Sequence, residues 1–504
     1  MHNPTVQSPE ATGHPRRKAV LATMCAAVIL VVSMVSAVNL AVPKLAKSDL
    51  QPSTTQLLWF VDSYVIVFAC LLIPAGAVGD RYGRRRSLTW GLGVFALGCL
   101  VCAVAPGITV LLAGRVITGV GAAFVMPATL SLALYAFPPA ERPQAIATWT
   151  GASGIGGVVG YLFGGGILQF LPWQGLFIAM VPVTGIVMFA TRLAPAPPRH
   201  ASPVDPLGTV LLVLGFVALL YGVIEGPSLG WSSTRIICAF AVGAVLLCVF
   251  ALQQSRSERP MLEPRLFRSH GLRAGTLGVT AAFFAMFALF FTNAQYLQYV
   301  KGLRPFTAGV AFLPLAVCMM LVSRRSARLA ARFGARGVMV TGAVLIALAL
   351  LCISYADAST PYALYAVYLL AAGGGMGLCL PPLSTSIMTS LPPQRAGLGS
   401  GLNSAAREVG SALGVAVIGT ITTSRFSKAL GDPSVHAHRR SASEVFAAAT
   451  RIGPAEHARA VDAFSSAAGT GYRVVAAVLL VTALLAVFWH RAADRPATAV
   501  PKES

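Results

Sequence analysis

The chain has 504 residues, 56% of them hydrophobic and only 11% charged, with a mean hydropathy of +0.73. A soluble domain carries about 25% charged residues, so composition excludes one large soluble domain; it excludes disorder too, because disordered chains are polar and charged. The 38 Lys+Arg against 17 Asp+Glu give a net charge of +21, which in a soluble chain would suggest nucleic acid but in a membrane chain reports on loop sidedness.

The apolar residues fall in runs of the length, about 20 residues, that crosses a bilayer. The first follows Arg16-Arg17-Lys18 and covers 19–42. It is too long for a signal peptide and is followed by many like it. Further runs lie near 56–78, 88–105, 107–136, 143–170, 174–191, 207–226, 235–252, 274–297, 307–322, 337–355, 362–387, 397–423 and 472–490, fourteen in all. The expectation is an all-α polytopic membrane protein with 14 transmembrane helices.

An even count puts both termini on one side. Assigning them to the cytoplasm places most Lys and Arg of the short loops there, as the positive-inside rule requires. The positive charge is then topology. The basic loops lie beside anionic membrane lipid, no nucleic-acid partner is implied, and the expected location is the cytoplasmic (inner) membrane. All nine Cys lie in apolar runs. They read as small buried hydrophobes rather than disulfides or metal ligands, and Cys99-x-x-Cys102 has no second ligand pair beside it.

The sequence repeats itself. Gly119–Pro127 and the following Phe137-Pro138-Pro139 match Gly373–Pro381 and Leu391-Pro392-Pro393 at an offset of 254. The same offset pairs Gly156 with Gly410 and Gly160 with Gly414, and Arg81-Tyr82-Gly83 echoes Arg332-Phe333-Gly334 at an offset of 251. Two homologous six-helix halves follow, 19–191 and 274–490, with two extra central helices at 207–252. A tail at 1–18, a Pro-rich cytoplasmic linker at 192–206, a cytoplasmic loop at 253–273 and a tail at 491–504 complete the inner side. Residues 424–470 form the one long external segment. A parallel six-plus-six repeat is the architecture of transporters whose substrate binds between the halves near the membrane midplane.

Particular residues carry a family resemblance. Gly76-Ala-Val-Gly-Asp80-Arg81-Tyr-Gly83-Arg84-Arg85-Arg86 resembles the loop between spans 2 and 3 of the major facilitator superfamily, G-x-x-x-D-R-x-G-R-[KR]-[KR]. Asp80 can pair there with an arginine, and Arg407-Glu408 at the inner end of span 13 is the expected partner of this gating loop. Val38-Asn39-Leu40-Ala41-Val42-Pro43, the span-4 element Leu112–Gly121 around Arg115, and the Gly-rich span 5 from Gly151 to Gly166 look like elements of the fourteen-span drug:proton antiporters. The resemblance implies multidrug efflux and antibiotic resistance: export of hydrophobic or amphipathic drugs by a monomer driven by the proton gradient, with no cofactor. Two positions depart from that family. Met34 stands where its span-1 Asp would be, and Tyr161 where its Gly-Pro would place proline.

A charge inside a span costs about 2.5–3.5 kcal/mol on insertion scales and marks function. Asp62 and Arg115 lie at similar depth, roughly 10–12 Å inside their helices at 1.5 Å per residue. They are expected to pair and to carry proton coupling, because desolvation and a nearby cation act oppositely on a carboxylate's proton affinity. The repeat-related positions 313 and 369 are both Leu, which confines that chemistry to the first half. In span 5, Gly156, Gly160 and Gly164 form a small face for close packing or for sealing the halves. Asn39, Trp59, Tyr161, Asn293 and Gln295 are the substrate-pocket candidates, with Tyr296, Gln298 and a run of phenylalanines nearby, since drug sites are apolar with few polar groups.

Other classes fail on residues. A P-loop needs Gly-Lys, and no such pair occurs. No cluster of nucleophile, base or metal ligands suggests an enzyme. A proton-coupled importer and a proton-independent facilitator of a small metabolite remain as alternatives, because direction is not written in a fold and Met34 removes the usual acid.

Overall fold

In the computed structural model, residues 13–46, 48–52, 54–196, 205–257, 266, 269–303, 305–392, 396–429, 446 and 453–493 are described. Among them, fourteen helices are long and apolar enough to cross a membrane. The first half comprises α1 (Arg17–Ala46), α2 (Thr54–Tyr82), α3 (Arg84–Ala103), α4 (Ile108–Ala136), α5 (Arg142–Phe170) and α6 (Gln174–Ala190). The central pair is α7 (Pro206–Leu229) and α8 (Thr234–Arg256). The second half holds α9 (His270–Gln295), a short α10 (Pro305–Ala311), α11 (Leu313–Phe333), α12 (Ala335–Ile353), α13 (Tyr362–Thr389), α14 (Ala396–Ala429) and α15 (Pro454–Ala493). Of the segment at 424–470, residues 430–445 and 447–452 lie outside the described residues, as do 197–204 of the linker and 258–265, 267 and 268 of the loop at 253–273. The last helix begins at Pro454, well before the expected start of its span at 472, so 454–470 is the first part of α15.

Apolar runs become helices because no backbone group can go unpaired in hydrocarbon. Pro74, Pro127, Pro182, Pro381 and Pro382 lie inside helices, which a membrane protein tolerates where neighbouring helices re-satisfy the freed groups. The end of α9 widens into a single π turn, Tyr296–Val300.

The repeat is visible in side-chain-level packing. α1 lies on α5 as α9 lies on α14, α2 on α4 as α11 on α13, and α3 on α4 as α12 on α13. Gly160 backs onto the Ser33 carbonyl and Gly414 onto the Phe284 carbonyl, so closely that a Cβ would collide with backbone. The turn glycines match too: Gly83 has φ 103° and Gly334 φ 82°, a region only glycine enters freely. Position for position, the halves are related by an offset of 251 in their first three long helices and 254 in the next two.

The halves meet along two equivalent seams, α2 on α14 and α5 on α11. Helix α7 lies across the first of these, packed on both α2 and α14. Its Leu220 joins Ile66, Ala69 and Cys70 of α2 in a small apolar cluster that Ala412 of α14 also touches. Beyond the end of α7, the Trp231 indole N–H donates to Thr420 Oγ1 of α14 at 3.1 Å.

Candidate functional site

Arg115 of α4 is wholly buried. Its Nε donates to the Phe60 carbonyl at 2.8 Å and its Nη2 to the Val61 carbonyl at 3.4 Å, both on α2. The guanidinium lies over the rings of Tyr64 (4.6 Å) and Phe60 (5.6 Å), and Nη1 has no protein partner. Cation–π contacts of this kind contribute about 2 kcal/mol or more where water is excluded. Asp62 lies half-buried on the same stretch of α2, within electrostatic range of Arg115 and of Glu225 on α7. The expected ion pair is not formed in this conformation. Arg115 instead holds the backbone on the N-terminal side of Asp62, because the α4 face bearing Arg115 points at the Phe60–Val61 carbonyls rather than at the carboxylate. Met34 is buried on α1 and leaves that helix without a carboxylate at this depth.

The signature loop forms a second centre. Asp80 is buried, accepts from Arg84 Nε at 3.0 Å, and takes the backbone N–H of Leu398, at the start of α14, at 3.2 Å. A carboxylate at a helix N-terminus satisfies orphan N–H groups and opposes the helix dipole. One side chain of the first half thus caps a helix of the second. Gly83 makes the turn, Gly76 is buried in α2, and Arg81 is exposed with its guanidinium over Tyr82.

Arg407 does not partner this loop, which corrects the expectation. It donates through Nη2 to Ser153 Oγ of α5 and lies between the rings of Phe283 (4.4 Å) and Trp149 (5.2 Å). Its Nε and Nη1 have no protein partner, nor do the buried side-chain groups of Ser400, Asn403 and Ser404 on the same helix. At about 16 Å along α14, Arg407 is near the middle of a hydrocarbon core about 30 Å thick. Glu408 is half-buried beside it. Sequence reading had the signal for this contact, since the offset of 254 maps Arg407 onto Ser153.

The other seam closes in the same region. Ser323 Oγ of α11 donates to the Ala147 carbonyl of α5 at 2.7 Å, and Gly154 faces Met319. Gly156, Gly160 and Gly164 do not take part. They face Val32, Ser33 and Ala37 of α1, inside their own half, so this stripe packs α5 on α1 and does not seal the halves. The face that meets the second half is Gly151, Gly154 and Gly157.

Of the pocket candidates, Tyr161 lines a crevice between the halves with Leu40, Phe290, Gln298, Gly309 and Phe312. Phe290 meets Phe312 edge-on at 5.0 Å. The remaining candidates lie elsewhere. Trp59 stacks on Tyr221 of α7 at 6.3 Å, and Asn293 is buried inside the second half, accepting from the Tyr365 hydroxyl. Asn39 is exposed and donates to its own helix at the Val35 carbonyl, 2.8 Å; Gln295 is half-buried. Gln298, not Asn293, is the polar group of α9 that reaches the crevice. Among the described residues, no group of three or more His, Cys, Asp or Glu could hold a metal.

The sequence matches the family described as Major Facilitator Superfamily over residues 24–415. The chain belongs to the major facilitator superfamily. It is therefore a multi-pass membrane transporter and not an enzyme. It is 34% identical to the multidrug resistance protein Stp of Mycobacterium tuberculosis over 396 residues, 78% of this chain and 73% of that protein. It is 32% identical to the multidrug efflux pump LfrA of Mycolicibacterium smegmatis over 431 residues, 85% of each chain. It is 30% identical to the tetracenomycin C resistance and export protein of Streptomyces glaucescens over 481 residues, 91% and 88% of the two chains. The fold resembles the human organic anion transporter MFSD10, with a TM-score of 0.64 at 15% identity, covering 94% of this chain and 100% of that one. It also resembles the proton:xylose symporter XylE, with a TM-score of 0.60 at 13% identity over 93% and 94% of the chains. Transporters of this family work without a cofactor and draw on ion gradients.

Proposed function

We propose that the protein exports hydrophobic or amphipathic drugs or antibiotics across the cytoplasmic membrane in exchange for protons, conferring resistance, with both termini in the cytoplasm. The relatives named above for resistance and export match 78–91% of the chain, which supports drug efflux. The observation that carries proton coupling is Arg115, a buried cation held on two α2 carbonyls with one N–H left open, in electrostatic range of Asp62.

Loss of water favours a protonated carboxyl, and the approach of a cation favours the carboxylate. A small rotation of α4 against α2 that moves the guanidinium from the Phe60 and Val61 carbonyls toward Asp62 would expel the proton. The reverse movement would recapture one. Rocking of the halves supplies such a movement if it is transmitted through α2, which forms a seam with α14.

In the proposed orientation, the contacts of Asp80 with Leu398, Ser323 with Ala147 and Arg407 with Ser153 close the cytoplasmic side. The crevice at Tyr161, Phe290 and Gln298 lies toward the outer side and offers the apolar, sparsely polar lining that such substrates need.

A panel of drug susceptibilities in an efflux-deficient host, with and without a protonophore, tests this reading. Export predicts resistance that the protonophore abolishes; import predicts sensitisation. Met34 favours one competing reading, proton-independent facilitation. That reading predicts drug movement indifferent to the protonophore.

A further inference from the structure

Ser400, Asn403, Ser404 and Arg407 recur at helical spacing on α14. At about 100° per residue they share one face of the helix. Gly401 and Gly410 flank that face and back onto Leu72 of α2 and Thr280 of α9. The face therefore looks between α2 and α9 toward the first half, where Arg407 meets Ser153 of α5. All four residues are buried, none more than 4% exposed. Among the described residues, Ser400 Oγ, Ser404 Oγ, both amide atoms of Asn403, and Nε and Nη1 of Arg407 have no protein partner. Glu408 does not answer the guanidinium. It is turned about 100° round the helix, to the Gly401 side, within electrostatic range of Tyr64 of α2.

The repeat-related face of α5 is Ile146, Trp149, Thr150 and Ser153, so the cation and the amide belong to the second half alone. A buried polar group without a partner costs free energy that an apolar residue would not, and a charge inside a span costs more. A seam that stayed shut would be better served by residues such as Ile146. These groups are instead suited to a seam that opens, where water reaches the face from Ser400 inward and an acceptor reaches Arg407. Once Ser153 is released, the guanidinium presents its planar fork, which binds two oxygens of an anionic group at once. Phe283 and Trp149, one ring from each half, lie at 4.4 and 5.2 Å from it and offer aromatic surface beside the charge. A cationic substrate would meet like charge there, which selects against it.

We propose that this face of α14 is the cytoplasmic limb of the drug path, and that Arg407, with Asn403, selects aromatic amphipathic substrates bearing a carboxylate, sulfonate or phenolate over cationic ones. The limb runs about 10 Å from Ser400 to Arg407 at 1.5 Å per residue. The proposal rests on the transport reading above for the side from which substrate arrives.

The test is fluorescence polarisation of two dyes on the purified full-length protein in detergent: fluorescein, an anion, and a cationic rhodamine ester with the same ring skeleton. The wild type binds fluorescein at least about tenfold more tightly. Arg407→Gln abolishes the preference by weakening fluorescein and sparing the rhodamine. Asn403→Leu, which leaves the Ser153 contact in place, weakens fluorescein in the same sense. Ser153→Ala removes that contact but keeps the preference, because the guanidinium remains. If Arg407 were only a clamp between the halves, Arg407→Gln and Ser153→Ala would move both dyes together, and that result would overturn the proposal. So would equal or tighter binding of the rhodamine by the wild type, a comparison that needs no variant to fold. Equilibrium binding in detergent reports neither direction nor protons, so a failure here is distinct from a failure in the protonophore panel.

Discussion

Arg407 donates a hydrogen bond to Ser153, and the two residues occupy the same position of the repeat, 254 residues apart. A residue that touches its own repeat mate lies on the axis relating the halves. That axis runs along the membrane normal between the halves, so the contact bridges them, and a tilt of one half against the other is expected to change it. Trp149 and Phe283 hold the guanidinium there, and the Trp149 indole is itself fixed by donation to Thr129 Oγ1 at 3.1 Å.

Ser153→Ala should therefore shift the resting state. A hydrogen bond to a charged group contributes about 1.5–3 kcal/mol, and its loss leaves Arg407 buried without any side-chain acceptor in the closed arrangement. Distances between spin labels on the cytoplasmic ends of α5 and α11 should show the open population rising by roughly 10- to 100-fold. An unchanged distance distribution would mean that the contact is incidental.

The glycine contacts predict matched damage in both halves. Gly160→Ala and Gly414→Ala each push a methyl group into a backbone carbonyl, of Ser33 and Phe284 respectively, and neither neighbour can rotate away. Overpacking of this kind costs about 1–3 kcal/mol. Thermal melts in detergent should fall by similar amounts for the two variants. Gly166→Ala, whose Cβ would meet nothing within 4 Å, should melt with the wild type. A large difference between Gly160→Ala and Gly414→Ala would break the claimed equivalence.

Arg115→Lys tests whether the fork or only the charge matters. Lysine is a point charge on a flexible stem and cannot reproduce two directed bonds together with stacking on Tyr64. Resistance should drop at least about tenfold at equal protein level in the membrane. Retained resistance would reduce Arg115 to a generic buried cation.

The turn between α12 and α13 carries a separate pH dependence. Hydrogen bonds from the Ser359 and Thr360 side chains, and from their backbone N–H groups, hold the Asp357 carboxyl below its usual range. A depressed folded-state pKa contributes stability that is present above the unfolded value of 3.8 and is lost as pH falls through the folded value. Protease sensitivity of this turn should therefore be flat from pH 8 to 5 and rise only below about pH 4. In Asp357→Ala it should be high throughout.

The span count, the repeat and the signature loop were legible in the sequence because each rests on length, identity or turn chemistry along the chain. The azimuth of a helix was not. A span that is apolar all round gives no stripe to orient it. Trp59 and Asn293 were therefore assigned to a pocket when they face α7 and α13. The same blindness hid the direction of the span-5 glycines, since Gly151, Gly154 and Gly157 look in sequence like Gly156, Gly160 and Gly164. Arg115 was identified as a buried charge but given the wrong acceptor, because spacing from a helix end fixes depth and not which backbone groups lie opposite. Arg407 could have been placed: its repeat mate is Ser153, and a polar pair at one repeat position near mid-membrane marks the axis.

The central claim is that Asp62 exchanges the proton that drives export. Proteoliposomes holding wild type or Asp62→Asn, loaded with a fluorescent drug and given an imposed pH gradient, measure this directly. The wild type should move drug against its concentration only while the gradient lasts. Asp62→Asn should still bind drug and let it equilibrate, with gradient-driven accumulation lost. Full gradient-driven transport by Asp62→Asn would contradict the account.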